Sequence, residues 1–411
     1  MRSSLRPGAG LLGMVALVLL AAGCGGSEEP ATGDVLAMPW EQIESAARGQ
    51  KVTWLMWTGD PFINAYVNQY VAPQLAERYG IELDVVSAQG AQIVSILLTE
   101  IEAGKSPSEA DMVWINGETF YQLRQIGALA GPFTDKLPNS RYVDFDNPFI
   151  RYDFQQEIEG HEAPWGNVQL ALIYDSARIS DPPRDRQQLA EWIRAHPGRF
   201  TFDEAFTGMT FLKSLLIDFA GGPGSLDGPF DEARYRQASA QLWVYLQELK
   251  PYLWRRGETF PTGVAQLHQL FAAGEVDFTM SNNDGEVDNK VLQGLLPDTA
   301  RAYVLDTGTI QNSHYLGLVR RGPHPAAALV AINFLLSPEA QFEKAKPAVW
   351  GDGTVLDLDR LPPEWQEKFR NIPQRTHAPR REEINPKALR EPASETMIRL
   401  YEDFRTHVLG S

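Results

Sequence analysis

Cysteine is almost absent from this chain, because Cys24 is the only one among 411 residues. A lone cysteine cannot form an internal disulfide, and it leaves no set of thiolates for a zinc site. Histidine is also sparse: the seven histidines are scattered, and His161-Glu162 is followed by Ala-Pro-Trp, so the H-E-x-x-H pattern is incomplete. The sequence therefore predicts no metal site and no cofactor.

The usual catalytic motifs are missing as well. No G-x-S-x-G nucleophile elbow occurs in the sequence. The fingerprint G-x-G-x-x-G does occur at residues 8–13, but no strand precedes it and it lies inside an apolar leader segment. These absences favour a binding protein over an enzyme, so we predict no catalytic residues.

The leader contains the longest apolar run of the chain, and this run is too short to span a membrane. Arg2 and Arg6 precede the apolar residues 11–22, and small residues follow. A membrane span needs roughly 20 apolar residues. The order of charge, apolar run and small residues predicts a secretory signal peptide over residues 1–23.

The end of this leader resembles a bacterial lipobox. Leu20-Ala-Ala-Gly precedes Cys24, and Gly-Gly-Ser-Glu-Glu-Pro follows it. The resemblance implies that Cys24 is the lipidation site, and the polar, glycine-rich composition predicts a flexible tether over residues 24–38. Such an anchor holds a folded domain at a membrane surface without making it a spanning protein.

Positive charge is in deficit, since 37 Lys and Arg face 53 Asp and Glu and give a formal net charge of −16. Removing residues 1–23 takes away Arg2 and Arg6 and no acid, which lowers this charge to −18. Such an acidic surface repels nucleic-acid phosphates and anionic headgroups. We therefore expect no nucleic-acid partner and no membrane contact beyond the lipid anchor.

One local pattern occurs three times: an apolar strand, a polar loop and a helix start. The strands are predicted at 52–57, 111–115 and 276–280, and the loops at 58–61, 116–119 and 281–285. Pro73 is expected to kink or break the first helix, and Gly80 to end it. The alternation predicts α/β lobes with largely parallel sheets, in which ligands sit at the carboxyl ends of strands.

The three loops and the segment near residue 165 carry recognition chemistry. Aromatic faces stand beside carboxylates and beside amides that both donate and accept hydrogen bonds. This combination favours a cation or a polarised ring, through contacts worth roughly 0.5–2 kcal/mol, and no arginine in the loops could clamp an anion. The predicted ligand-binding residues are Trp57, Asp60, Asn64, Asn116, Glu118, Trp165, Gln169, Asn282 and Asn283.

Several of these residues also have a purely structural interpretation. Asp60 is a good N-cap before a proline in the first helical position. Glu118 can cap the next helix together with Asn116, and its charge suits the positive end of the helix dipole. Trp165 lies between a proline and a glycine, so it can be a packed hinge residue, and Asn282 can belong to a plain turn.

Several motifs together resemble family 1 extracellular solute-binding proteins of ABC importers. Residues 163–166 (APWG) and 172–175 (LIYD) are similar to the segment that crosses between the lobes in that family, and residues 334–341 (FLLSPEAQ) to a late helix start. The YnjB-type branch of the family is similar at residues 57–66, 114–118, 131–133, 181–183 and 196–201.

This resemblance implies an α/β, type II-like two-lobe periplasmic-binding-protein fold with crossing hinge strands and extra C-terminal helices. Lobe 1 would span residues 39–165, completed by part of 305–345, and lobe 2 residues 166–304. Residues 346–411 would form helices packed on a lobe. The resemblance also implies an ABC permease and its ATPase as partners, and a location in the periplasm or at the cell surface.

The sequence thus predicts a lipid-anchored solute-binding protein that delivers a small polar solute, of cationic or heteroaromatic, thiamine-like character, to an ABC importer. The alternative from another class is a secreted bilobal hydrolase or lyase that uses Asp60, Glu118 and Asp284 as acid and base. A sensor subunit that reports its ligand to a signalling partner is a third interpretation. A binder returns its ligand unchanged, whereas an enzyme does not.

Overall fold

The computed structural model describes residues 32–410. The predicted signal peptide, the lipidation site Cys24 and the first part of the tether lie outside the described residues, as does Ser411. Within residues 32–410, no helix combines the length and the apolarity that a membrane crossing requires.

Lobe 1 is built on a parallel sheet with helices on both faces. Its elements are α1 (Thr32–Ala37), α2 (Trp40–Ala47), β1 (Lys51–Met56), α3 (Pro61–Ala65), α4 (Ala72–Tyr79), β2 (Glu82–Ser87), α5 (Gly90–Glu102), β3 (Met112–Ile115), α6 (Thr119–Gln125) and α7 (Pro148–Arg151). β1 lies between β2 and β3 and pairs in parallel with both. The polar loops that follow β1 and β3 therefore leave the sheet at the same edge.

Two long strands cross between the lobes. β6 (Glu162–Gln169) leaves lobe 1 after the short hairpin of β4 (Tyr152–Asp153) and β5 (Gln156–Glu157), and β10 (Thr309–Leu318) returns to it. β10 pairs antiparallel with β6 along most of its length and with β3 of lobe 1. The predicted two-lobe fold with crossing hinge strands is confirmed.

Lobe 2 has a smaller sheet, and its strands run differently from the prediction. Its elements are β7 (Ala171–Asp175), α8 (Arg186–Ala195), α9 (Phe206–Phe219), α10 (Glu232–Leu249), α11 (Val264–Ala272), β8 (Phe278–Ser281), α12 (Glu286–Leu292) and β9 (Ala300–Tyr303). β7 pairs antiparallel with β8 and β9, so the parallel prediction is wrong for this lobe. The reason is that β7 enters directly from the hinge, whereas β8 runs back and ends beside Ala171.

The chain after β10 serves both lobes. α13 (Pro325–Leu335), α14 (Pro338–Ala345) and α15 (Pro363–Arg370) pack on lobe 1, and α16 (Arg381–Ile384), β11 (Ala388–Leu389) and α17 (Ser394–Phe404) on lobe 2. The prediction that residues 346–411 pack on one lobe is therefore corrected, because Phe369 lies in the core of lobe 1 and Phe404 in that of lobe 2. Short 3₁₀ turns occur at Thr134–Lys136, Pro138–Tyr142, Lys250–Tyr252, Trp254–Gly257, Leu358–Arg360 and Asn385–Lys387.

Two local expectations near the start of the chain are also corrected. Pro73 does not break its helix: a π-helical turn, Tyr66–Val71, precedes it, and Pro73 falls in the first turn of α4, where a wider turn absorbs its ring. Gly80 ends α4 in the left-handed conformation, as predicted. The predicted tether is too long, because α1 already forms at Thr32 and its Val35 is buried in the core of lobe 1. A second π-helical turn, Arg405–Leu409, extends α17.

Candidate functional site

The loop after β1 forms both a helix cap and a contact between the lobes. One oxygen of Asp60 accepts the N–H groups of Phe62 (2.7 Å) and Ile63 (3.1 Å) and caps α3, as predicted. Its other oxygen accepts from the ammonium of Lys290, which comes from α12 of lobe 2 and also pairs with Glu286 at 3.2 Å. Asp60 is thus committed to joining the lobes and cannot serve a solute in this conformation.

Trp57 and Asn64 shape the same loop. The half-buried ring of Trp57 covers Gly59, where a Cβ would lie 2.5 Å from the indole, and stands edge-to-face with Trp114 at 6.5 Å between ring centroids. Asn64 donates to the carbonyl of Thr58 (3.0 Å), and its buried Oδ1 has no hydrogen-bond partner among residues 32–410. Trp57 therefore offers a ring face, whereas the acceptor of Asn64 is buried in this conformation.

The loop after β3 meets the start of α9 in lobe 2. Gly117 adopts a φ of 64°, and a Cβ there would lie 3.1 Å from the ring of Phe206, so glycine permits this close approach of the lobes. Asn116 and Glu118 on either side are half-buried. Glu118 occupies the N-cap position of α6 without a capping bond, and within the described part of the chain its carboxylate has neither a hydrogen bond nor an ion pair. An unpaired carboxylate therefore remains where the lobes meet.

Buried ionisable groups surround Glu118. The ammonium of Lys213, fully buried in α9, pairs with Glu391, whose other oxygen accepts from Asn312 at 3.0 Å. Burial lowers the pKa of Lys213, whereas the carboxylates of Glu391, Glu118 and Asp153 raise it. Burial also raises the pKa of the Glu391 and Asp153 carboxyls. Three carboxyl groups thus act on the ammonium of one buried lysine, and only Glu391 forms an ion pair with it.

The two asparagines of the loop after β8 form different hydrogen bonds. Asn282 donates to the hydroxyl of Thr207 at 3.1 Å, and its buried Oδ1 has no partner within residues 32–410. Asn283 donates to the carbonyl of Gly351 (3.3 Å) and accepts from the N–H of Gly285 (3.0 Å). Asn282 thus has a buried acceptor without a partner in the described residues, whereas Asn283 holds the loop against the segment before α15.

Two arginines from the C-terminal segment hold the next residue, Asp284. Arg381 approaches one of its oxygens at 2.5 Å, and Arg375 pairs with the other. The N–H of Gln169 in the crossing strand also donates to it at 2.9 Å. Burial alone would raise the pKa of Asp284, but Arg381 and Arg375 hold it below its usual value. Asp284 therefore joins the hinge to the C-terminal segment.

Trp165 and Gln169 lie inside the hinge. Trp165 is completely buried and packs against Trp114 and Trp350, with ring centroids 5.0 and 5.3 Å away. Gln169 is also completely buried, and its amide donates to the hydroxyl of Thr309 at 3.2 Å. Neither side chain can contact a solute in this conformation, which agrees with the packed-hinge interpretation of Trp165 and argues against the predicted ligand contact for both.

The carboxylates of the gap do not form an acid–base pair. Asp60 is held by Lys290 and Asp284 by two arginines, which leaves Glu118 as the unpaired member of the trio considered for catalysis. Among residues 32–410, no group of three or more His, Cys, Asp or Glu is placed to hold a metal ion. The arrangement supplies charge and hydrogen-bond recognition.

Sequence reasoning missed the basic residues of this region: Lys213, Lys290, Arg375 and Arg381. Lys213 did have a local signal, because it is the one charge inside the apolar stretch Met209–Ile217 of a buried helix, and such a lysine needs a buried partner. The two arginines lie in a C-terminal segment rich in charge, where nothing local distinguishes them from solvent-exposed residues.

Two α/β lobes joined by crossing strands, with polar loops facing across the gap, define a bilobal solute-binding protein. Residues 69–370 match the family described as bacterial extracellular solute-binding protein. Protein YnjB of Escherichia coli K12 is 38% identical over 339 residues, which is 82% of this chain and 87% of YnjB. The chain belongs to this extracellular solute-binding family of ABC transporters.

Solved structures share the fold at low sequence identity. The spermidine/putrescine substrate-binding protein PotD of Streptococcus pneumoniae gives a TM-score of 0.60 at 14% identity, over 87% of this chain and 99% of PotD. The periplasmic binding protein AfuA of Actinobacillus pleuropneumoniae gives 0.62 at 12% identity, over 87% of this chain and 98% of AfuA. Members of the family bind small solutes outside the cytoplasm and work with a permease and an ATPase.

Proposed function

We propose that this chain captures a small organic cation, an amine or a heteroaromatic cation of the thiamine type, between its lobes and delivers it to an ABC permease. The observation that carries the proposal is Glu118, a half-buried carboxylate without a partner in the described part of the chain, located where lobe 1 meets lobe 2. A cationic group there would satisfy Glu118 and contact the second lobe at the same time.

The positive charges already present argue against an anionic solute. The basic side chains of the gap have carboxylate partners: Lys290 pairs with Asp60 and Glu286, Lys213 with Glu391, and Arg375 and Arg381 with Asp284. An anion would have to displace one of these carboxylates, and breaking a buried pair costs roughly 3–5 kcal/mol. PotD is described as a spermidine/putrescine-binding protein, and AfuA was solved with fructose-6-phosphate bound, so the fold itself does not select the charge of the solute.

Aromatic and amide groups complete the recognition of a cation. Trp57 offers a half-buried ring face, and a cation over an indole gains roughly 0.5–2 kcal/mol. The buried Oδ1 of Asn282 has no hydrogen-bond partner within residues 32–410, and it would accept an N–H from a solute that reaches it on the side of lobe 2. This set suits a solute that carries both a positive charge and a flat ring or several N–H groups.

A solute that contacts both lobes stabilises the closed arrangement by population shift, since it gains its full set of contacts only there. The permease would then receive the closed form. Part of the proposal is that no chemical step occurs, because Asp60 and Asp284 are engaged as ion pairs. Mass spectrometry of a bound solute after prolonged incubation should return it unchanged, and a converted product would favour the hydrolase or lyase alternative.

Isothermal titration calorimetry tests the charge of the solute. The mature protein is titrated with thiamine, thiamine phosphates, putrescine, spermidine, glucose and fructose-6-phosphate, and we expect binding of at least one cation. Glu118→Gln should weaken that binding about tenfold or more, because a charge-assisted bond is worth roughly 1.5–3 kcal/mol.

The matched control is Glu364→Gln, which removes an exposed acid in the first turn of α15, outside the gap, and should leave the affinity unchanged. Tight binding of only the neutral sugar or the sugar phosphate would contradict the proposal. If the wild type and Glu118→Gln bind the cation with equal affinity, Glu118 is not the residue that recognises its charge.

We also propose that Cys24 carries the lipid anchor. Its support is the lipobox-like stretch that ends at Cys24, the only cysteine of the chain. Expression with a radiolabelled fatty acid should label the wild type in the membrane fraction, and Cys24→Ala should abolish the label. A labelled Cys24→Ala protein, or an unlabelled wild type, would overturn this part of the proposal.

A further inference from the structure

A small cavity lies at the hinge. Its walls are α7, β4 with the turn after it, the crossing strand β10 and the two residues that follow β11. It offers about 10 Å³ to a water-sized guest, close to the room that one water molecule needs. The residues predicted to bind the solute all lie within residues 32–410, and none of them lines this cavity. A different set of residues therefore forms it.

The turn after β4 is anchored on lobe 2. Phe154 belongs to the core of lobe 2, and its ring centroid lies 4.3 Å from the ammonium of Lys213. The next residue, Gln155, donates to the carbonyl of Glu391 at 2.6 Å. These contacts fix the position of Asp153, which lines the cavity directly before the turn.

Two walls of the cavity carry buried acceptors without a partner. Asp153 is 3% exposed and Gln311, in β10, is 8% exposed. Oδ2 of Asp153 and Oε1 of Gln311 are both buried, and neither has a hydrogen-bond partner among residues 32–410. Burying an acceptor without a partner costs stability, so two such oxygens beside one cavity indicate a guest that satisfies both.

Four side-chain donors of the lining already donate to protein acceptors. They are Gln155, Gln311, Asn312 and Ser313, with donor–acceptor distances of 2.6, 2.9, 3.0 and 2.7 Å. A water molecule could donate to the two open acceptors, but its own oxygen would then also need a donor. A cation needs acceptors alone, which is what this lining leaves open.

The carboxylate of Asp153 also needs a positive partner, because an unpaired charge is costly to bury. Two cationic side chains are near, and both have other partners. Lys213 forms its ion pair with Glu391, and Arg390, which lines the cavity, pairs with Asp227. Asp153 is thus left without an ion pair in the described part of the chain.

We propose that this cavity binds a monovalent alkali cation, Na⁺ or K⁺, through Oδ2 of Asp153 and Oε1 of Gln311. Hard cations take oxygen ligands, and one carboxylate balances one positive charge. A divalent ion would need more carboxylates, and among residues 32–410 no group of three or more His, Cys, Asp or Glu is placed to hold one. β4 leads through its hairpin into β6, and Gln311 lies in β10, so the cation would join the chain at both crossing strands. The proposal does not depend on the solute or on its charge.

Thermal unfolding of the mature protein near neutral pH tests the site. The midpoint is compared in NaCl, KCl and choline chloride at equal ionic strength, and choline is the reference because it is too large for the cavity. We expect NaCl or KCl to raise the midpoint by about 2–4 °C over choline chloride, and the rise to grow with the ion concentration.

Asp153→Asn should abolish the difference between the salts, and its own cooperative transition shows whether it folds. The matched control is Asp135→Asn, which changes an exposed acid in the turn Thr134–Lys136 and should keep the wild-type difference. A readout that needs no variant is anomalous scattering from wild-type crystals grown with thallium(I) acetate. Tl⁺ replaces K⁺ in its sites, and we expect it between Asp153 and Gln311.

Three results would overturn the proposal. The first is a wild type whose midpoint is equal in the three salts, even if it depends on pH, because a proton alone would then satisfy Asp153. The second is a salt difference that Asp153→Asn retains, which would place the ion elsewhere. The third is thallium that is absent from the cavity.

Discussion

Two of the contacts that lobe 2 makes with lobe 1, at α12 and at α9, differ in how their polar groups are satisfied. At α12, Lys290 pairs with Asp60 across the gap. At α9, Lys213 pairs with Glu391 of the C-terminal segment, on its own side of the gap, and the facing Glu118 has no partner within the described residues. The first contact is complete without a solute, and the second is not.

This difference indicates that separate contacts favour closure of the lobes and recognition of the solute. An ion pair between the lobes favours the closed arrangement whatever occupies the gap, whereas an unpaired carboxylate lets only a suitable partner complete the second contact. Lys290 and Lys213 are a natural pair for comparison, because both are buried lysines with carboxylate partners and only one pair spans the lobes. Substituting each of them tests the separation.

The largest effect is expected from Lys213→Met. This change leaves the Glu391 carboxylate in a buried site without its cation, and we expect the free energy of unfolding to fall by roughly 3–5 kcal/mol. Chemical denaturation of the mature protein measures it. The double variant Lys213→Met, Glu391→Gln should recover most of the loss, because neither partner is then charged. A single variant as stable as the wild type would show that this pair does not hold lobe 2 together.

A different result is expected from Lys290→Met, although the same side chain type is changed. Opening of the gap exposes Asp60 to water, so we expect the free energy of unfolding to change by only about 1 kcal/mol. Small-angle X-ray scattering without solute should show a larger radius of gyration, because the closed form loses its ion pair. Lys136→Met, which changes an exposed lysine without an ion pair in the described residues, is the control. If Lys290→Met and Lys213→Met lower the free energy of unfolding by equal amounts, the distinction between the two contacts is wrong.

An equally small effect is expected at an acid in the hinge that has no cation paired with it. Both oxygens of Glu162 are buried without a hydrogen-bond partner among residues 32–410, and its pKa is raised, first by burial and then by Asp153. Because the pKa of Glu162 is higher in the folded than in the unfolded protein, protonation of its carboxyl favours the folded state. This stabilisation is complete below the unfolded pKa of about 4.3, and it is lost as the pH rises through the folded pKa. Glu162→Gln should therefore raise the thermal midpoint at about pH 7.5, by the equivalent of about 1 kcal/mol, and leave it unchanged near pH 4. A variant that is less stable at both pH values would show that the carboxyl makes a stabilising bond.

Local chemistry explains how much of the fold could be predicted from the sequence. The cap at Asp60, the glycine that ends α4 and the polar loops after β1, β3 and β8 depend on residues that are neighbours in the chain. The direction of the strands in lobe 2 depends on how β7 enters from the hinge, which no short window contains. The prediction that Pro73 breaks its helix was wrong for a similar reason, because the π-helical turn before it makes room for the proline ring.

The candidate site divides in the same way. Trp57, Asn116, Glu118 and Asn282 lie at the strand ends where the pattern placed them. The partner of Asp60 is 230 residues away in sequence, and that of Asp284 at Arg381 is 97 away, so their engagement in ion pairs could not be read locally. Trp165 was ambiguous from sequence, since a tryptophan between proline and glycine suits a cleft or a packed hinge equally, and only its packing against Trp114 and Trp350 distinguishes them.

Native mass spectrometry of the protein, purified from its own organism without unfolding, tests the central claim most directly. We predict a co-purifying small organic cation in the wild type, reduced or absent in Glu118→Gln and retained in Glu364→Gln. An anionic or uncharged solute that stays bound in Glu118→Gln would contradict the account.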